Sequence, residues 1–371
     1  MECEIRYTQG ITLESQTLAP PLPARLEQTV RPARAQHLPA LTGLRFLLAL
    51  WVILHHLTGH GDSLEAAVLR LPYPIYAFIR GGYLAVTTFF VLSGFVLART
   101  YAATVWNRRS LLRYGLGRVA RVYPVYVLSL AVVAPFIVAD HAPAKAQLVA
   151  AHSLLIQGWL GPLSVNWNTP AWSLSCEMFF YLAFPLAAVA LHGSGWRRTL
   201  AAAAVACCLT RLLWAAGVSD GIKPLVHLSD FLMGVAASCA YDLLVRRGRP
   251  PAGAWLYLPA GAAAAALIAW PQMLPGAIDL NSALRPLNAT LLVGFGLGGG
   301  WAARILSSRA VVYLGKSSYA MYILHVPVLW WYCRWSKEFS ALLYLTLVIG
   351  ISALVYRFIE EPANQYLRSR V

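Results

Sequence analysis

Charge is what this sequence has least of. Only 12% of its 371 residues are Asp, Glu, Lys or Arg, and the acids number just 15. Soluble domains carry about twice that share of charge, so the chain has too little polar side chain to cover a soluble globule of its size. Cysteine is scarce as well. Cys3, Cys176, Cys207, Cys208, Cys239 and Cys333 show neither metal-ligand nor disulfide spacing, which excludes a zinc module and a disulfide scaffold and leaves them as small packing residues. No internal repeat or appended soluble domain is visible. The first 37 residues hold no apolar core of a cleaved signal peptide. The sequence therefore predicts a polar, poorly ordered cytoplasmic tail over residues 1–37, followed by a single membrane domain over residues 38–371.

Apolar side chain is abundant, at 58% of the residues. About 20 apolar residues in a helix cross the hydrocarbon of a bilayer with every backbone group satisfied. Runs of about that length fall at 41–58, 83–99, 119–139, 172–191, 199–218, 226–245, 253–270, 284–303, 312–333 and 340–358. The fold class expected is an all-α integral membrane protein of about ten transmembrane helices.

The formal net charge of +15 does not require nucleic acid, because the basic residues sit in short clusters between the apolar runs. Arg108, Arg109, Arg113, Arg118 and Arg121, then Arg197 and Arg198, Arg246 and Arg247, and Arg304, Arg309 and Lys316 all fall on one side. Arg70, Arg80, Lys223, Arg285 and Arg334 fall on the other. The positive-inside rule then puts both termini in the cytoplasm of a cytoplasmic (inner) membrane. Counting 146–160 as a crossing would invert every later loop, so that stretch reads as an extracytoplasmic or re-entrant helix.

Ionisable residues at bilayer depth are functional candidates by default. In TGLRFLLALWVILHHL, Arg45 and His56 are eleven residues apart, about three full helical turns, and share one face about 16 Å apart. His55 points elsewhere. The expected topology puts His56, Glu177, Asp230, Arg211 and His325 in one layer of the outer half. The inner side gathers Arg45, Arg99, Arg113, Arg118 and Arg121. In RVARVYPVY, Arg118 and Arg121 share a helical face. Such a fork suits phosphate; for the RxxR spacing alone, topological charge or contact with anionic lipid is the plainer reading.

The ordered set of segments resembles the acyltransferase 3 family of integral membrane acyltransferases. Its pieces are Arg45-x10-His56, GYLAVTTFFVLSGFVLA at 82–98, RVARVYP at 118–124, TPAWSLSCEMFFYLAFP at 169–185, DFLMGVAAS at 230–238, GKSSYAMYILHVPV at 315–328 and IEEP at 359–362. The resemblance implies a ten-helix core and transfer of acyl groups to sugars, peptidoglycan, lipopolysaccharide or macrolides. It also implies function for Arg45, His56, Arg118, Arg121 and Glu177. Two departures stand out: Thr87 and Thr88 occupy the place where many members have Asp before FF, and the C-terminal esterase-like domain of some relatives is missing. Transfer would then finish in the membrane domain or be completed by an envelope-biosynthesis partner protein.

These readings combine into an expected mechanism. Acyl-CoA, preferably acetyl-CoA, is the donor substrate; no metal and no permanently bound cofactor is implied. Arg118 and Arg121, helped by Arg45 or Arg113, hold the coenzyme A phosphates. His56 is the general base toward a hydroxyl of a carbohydrate or glycosylated acceptor, and Glu177 hydrogen-bonds the other imidazole nitrogen. His325, with Tyr319 and Tyr322 on its face, either binds a substrate carbonyl or is a packed core histidine. Asp230 either pairs with Arg211, the favoured reading, or contacts sugar. Trp172 belongs to an aromatic belt or stacks on a sugar ring. The alternative from another class is a transporter or flippase, whose buried ions would mark a substrate path.

Overall fold

A computed structural model describes residues 38–58, 68–139, 145–191, 195–248, 250–275, 278–336 and 338–369; the tail expected at 1–37 lies outside them. Among the described residues every regular element is helical. In chain order they are α1 (Pro39–Leu57), α2 (Tyr73–Arg80), α3 (Ala85–Thr100), α4 (Arg108–Ala139), α5 (Lys145–Ser153), α6 (Trp172–Leu191), α7 (Gly195–Ala215) and α8 (Leu228–Arg246). There follow α9 (Ala254–Ala269), α10 (Leu280–Leu297), α11 (Gly300–Leu306), α12 (Arg309–Lys316), α13 (Ser318–Trp335), α14 (Ala341–Val355) and α15 (Glu361–Ser369). A π-helical turn, Tyr356–Glu360, joins α14 to α15.

All ten expected apolar runs are helical, but not all are uninterrupted. Seven helical stretches are long and apolar enough to cross a membrane, or eight if the bent pair α10 and α11 counts as one span. That pair turns by 79°. The cause is the run GLGGG, where Gly298, Gly299 and Gly300 take φ values of 75°, 83° and 78°, a region closed to most residues with a Cβ. The run 312–333 divides at Ser317 into α12 and α13. The doubtful stretch 146–160 forms α5, whose nine residues rise only about 14 Å, and then short 3-10 turns. It is too short to cross.

Small residues and aromatic rings hold the bundle together. A Cβ on Gly94 of α3 would overlap the carbonyl of Phe231, and one on Gly234 of α8 that of Val91. The two backbones therefore touch at reciprocal glycines, as close helix pairs in membranes do. Around them pack Phe90, Phe180 and Phe231, with Phe180 stacked on Phe231 at 4.9 Å between ring centres. Proline shapes the interior too. Pro327 within α13 cannot donate to the carbonyl of Ile323, and Asn168 fills the gap by donating Nδ2 to it at 3.0 Å.

The segment between α5 and α6 folds inward over the bundle. His152 has no exposed surface, and its Nε2–H donates to the Leu163 carbonyl at 3.1 Å. Burial favours the neutral ring and holds its pKa down to about 4. Tyr126 donates its hydroxyl to the His152 carbonyl at 2.7 Å, which ties α4 to this cap.

Candidate active site

Helix α1 supplies both ends of the site. Arg45 faces a cavity of about 130 Å³ whose walls include Arg118, Arg121, Glu177, Tyr181 and Tyr319. A cavity of roughly 150 Å³ takes one benzene molecule. The space thus suits a short acyl group, not a nucleotide.

The i, i+3 spacing in RVARVYP brings Arg118 and Arg121 onto the cavity wall together, as the sequence predicts. Arg118 stands among three tyrosines. Its guanidinium carbon lies 5.8 Å from the ring centres of Tyr101 and Tyr114 and 5.5 Å from that of Tyr181, and Nη2 donates to the Tyr101 hydroxyl at 3.3 Å. Arg121 forms an ion pair with Glu360, which is buried, and lies 5.3 Å over the Tyr319 ring. The π turn carries Glu360 on the side facing α4; such turns recur at functional sites because the extra residue re-aims the chain. Tyr319 also donates its hydroxyl to the Val122 carbonyl at 2.7 Å.

Glu177 departs from expectation. The carboxylate accepts the Tyr181 hydroxyl and interacts by charge with Arg45, Arg118 and Arg121. Depth along a helix does not say which way a side chain points, and Glu177 faces Tyr181 and the arginines. Three guanidiniums thus meet two carboxylates, Glu177 and Glu360, around the cavity. The balance is positive and suits an anion.

His56 meets another histidine. His325 of α13 has no exposed surface, and the two ring centres are 4.9 Å apart. His325 Nδ1–H donates to the Tyr322 carbonyl at 2.6 Å, so its Nε2 is an acceptor. His56 Nδ1 lies 2.9 Å from the Val52 carbonyl and 3.4 Å from that acceptor. Both neighbours accept, which assigns the proton to Nδ1 and the lone pair of His56 to Nε2. Tyr322 connects this pair to the cavity: it lines the wall, and its ring centre is 6.1 Å from that of His325. His55, off the seam, packs against Tyr83 with 5.5 Å between ring centres.

Asp230 belongs to a third group. Its carboxylate, fully buried, accepts from Arg285 Nε at 2.5 Å and pairs with His227 Nδ1 at 2.8 Å. The expected pair with Arg211 is absent: Arg211 instead approaches Asp279 at 3.7 Å, both side chains more than a third exposed. Trp172 sits beside the Asp230 group, its ring 5.3 Å from His227 and the Lys223 ammonium 5.4 Å over it. Arg285 was missed because its charge was counted as loop charge. His227 carried a readable signal, since it precedes Asp230 by three residues. Thr87, in the place of the absent acid, donates to Asn281 Oδ1 at 2.8 Å.

Among the described residues no group of three His, Cys, Asp or Glu side chains could hold a metal ion. A helical, membrane-spanning bundle around a basic cavity and a histidine pair defines an integral membrane protein with a polar interior site. The acyltransferase domain of the acyltransferase 3 family matches residues 38–357, and the chain belongs to that family. It is similar to the acyltransferase MdmB of Streptomyces mycarofaciens, with 27% identity covering 91% of this chain and 95% of that one. A putative O-acetyltransferase of Staphylococcus aureus strain COL, SACOL0978, is 22% identical over 89% of this chain and 58% of its own length. The O-acetyltransferase OatA of Staphylococcus aureus strain NCTC 8325 is 26% identical over 44% of this chain and 26% of its own. No solved structure matches the chain. Its relatives are named as enzymes of acyl transfer, and the protein is an acyltransferase of the membrane.

Proposed function

We propose that the protein moves an acyl group, preferably acetyl, from acyl-CoA to a hydroxyl of a carbohydrate or glycosylated acceptor, in a cytoplasmic membrane crossed ten times with both termini inside. The observation that carries the chemistry is the His56 and His325 pair, whose hydrogen bonds leave the basic lone pair of His56 on Nε2. His56 Nε2 takes the proton of the acceptor hydroxyl as its oxygen attacks the thioester carbonyl. The carbon–sulfur bond then breaks, and the imidazolium gives its proton to the departing thiolate, which leaves as the thiol and returns His56 to its neutral form. His325 steadies the ring through His56 Nδ1–H.

The cavity residues serve the donor. Arg45, Arg118 and Arg121 give the wall its positive balance, and Glu177, held by Tyr181, keeps the guanidiniums in place. Tyr319 is part of the cavity wall, while Asp230 and Trp172 stand apart from it around His227. The names of the relatives favour transfer over the transporter or flippase reading.

The test is isotope transfer from labelled acetyl-CoA to lipid, glycan or metabolite fractions of cells making the protein. Removing a general base costs about 10²–10⁴-fold in rate. His56→Ala should lose label by that factor, and transfer at the normal rate would remove His56 from the mechanism.

A further inference from the structure

Below the basic cavity lies a second and larger space, a pocket of about 410 Å³ lined by Thr42, Arg45, Arg121, Lys316, Asn364 and Gln365, among others. Arg45 and Arg121 line both spaces, so the two share a wall made of guanidinium groups. Helices α1, α4, α12 and α15 converge there, α4 through Arg121. Helix α1 brings Thr42 and Arg45, the last residue of α12 is Lys316, and α15 presents Asn364 and Gln365. The close approach of α12 to α1 requires Gly315, where a Cβ would overlap the Thr42 carbonyl.

The polar groups of this pocket are not fully used by the protein itself. Arg45 Nε and Asn364 Oδ1 are buried with no hydrogen-bond partner among the described residues. An unmet donor and an unmet acceptor each cost about 1–3 kcal/mol unless something else meets them. Lys316 and Gln365 are exposed and reach the pocket from its rim. Glu361 offsets one of the three cations, which leaves a positive surface beside two amide side chains. Cations recognise phosphate; amides both donate and accept, as the edge of a heterocyclic base does.

Size separates the roles of the two spaces. The upper cavity takes a short acyl group and the end of a slender arm. The lower pocket, about three times larger, is in the range of small-molecule sites. The guanidiniums first assigned to phosphate are also engaged elsewhere: Arg118 lies among three tyrosines, and Arg121 pairs with Glu360. Resting on the acyl-CoA reading above, we propose that the lower pocket binds the nucleotide end of the donor, the 3′-phosphorylated adenosine diphosphate. Lys316 and Arg45 meet its phosphates, Asn364 and Gln365 meet the base, and the pantetheine arm passes between Arg45 and Arg121 toward His56.

The experiment is equilibrium binding of radiolabelled coenzyme A to the full chain in nanodiscs of phosphatidylcholine. Unlabelled 3′,5′-ADP should displace the label, and pantetheine should do so far less well. Lys316→Ala and Gln365→Ala, both at exposed positions, should each weaken coenzyme A binding about tenfold, whereas Lys316→Arg should retain it. Binding that survives both alanine substitutions overturns the pocket assignment while leaving the donor reading intact. No coenzyme A binding by the unaltered chain overturns the donor reading and this assignment together. Loss of binding when phosphatidylglycerol replaces phosphatidylcholine would make the pocket a lipid headgroup site and refute the nucleotide assignment.

Discussion

Replacing Arg285 by Met removes the cation from a carboxylate that has no exposed surface. Asp230 accepts from Arg285 Nε at 2.5 Å and from His227 Nδ1 at 2.8 Å, and Arg285 itself is 3% exposed. Two unit charges about 4 Å apart interact by about 4 kcal/mol at an effective dielectric of 20. Deleting one partner of a buried pair costs about 3–5 kcal/mol, because the other charge stays behind uncompensated. His227 still serves the carboxylate, which puts the expected loss for Arg285→Met at the lower end, about 3 kcal/mol. Asp230→Asn combined with Arg285→Met removes both charges and should recover about 2 kcal/mol of it. Arg211→Met is the control: its 3.7 Å approach to Asp279 is more than a third exposed, so it should change stability by no more than about 0.5 kcal/mol. Equilibrium unfolding in mixed detergent micelles, followed by tryptophan fluorescence, measures all three. A double variant no more stable than Arg285→Met would show that Asp230 is not held by Arg285, and a large loss in Arg211→Met would restore the pair expected from depth.

Two further outcomes follow from groups that position the site. The His152 ring is held neutral with its pKa at about 4, below the ordinary 6.5, so the folded state takes up its proton later than the unfolded state does as pH falls. Its contribution is intact above about pH 6.5, shrinks below that and is gone by about pH 4, a loss of about 3 kcal/mol. The stability difference between the unaltered chain and His152→Gln should narrow over that window, and a difference that stays constant would contradict the buried neutral ring. Asn168→Leu leaves the Ile323 carbonyl, freed by Pro327, without its donor; we expect a loss of about 1–3 kcal/mol in the same unfolding assay, and no loss would mean another group serves that carbonyl.

Much of the architecture could be read from residue order. The ten apolar runs are all helical because backbone in lipid must satisfy itself, and the spacing of Arg118 and Arg121 alone predicts their common face. The helical period of α1 puts Arg45 and His56 on one face, and the folded bundle sets Arg45 on the cavity wall. The breaks were harder. GLGGG is apolar and counts toward a span on any hydropathy scale, yet its positive φ values turn the chain by 79°.

Partners were the least legible part. Depth along a helix is a one-dimensional quantity, and it put His56, Glu177, Asp230, Arg211 and His325 in a single layer. The folded bundle sorts them by direction: Glu177 to the arginines, Asp230 to Arg285 and His227, Arg211 to Asp279, and His56 to His325. The sequence by itself determined that the chain lives in a membrane and which segments are helical, because hydropathy and helical period are local properties. Only the tertiary structure decided which charge neutralises which, that two histidines share one hydrogen-bond chain, and that Arg45 and Arg121 stand between two cavities. Those depend on helices far apart in sequence turning their polar faces toward one another.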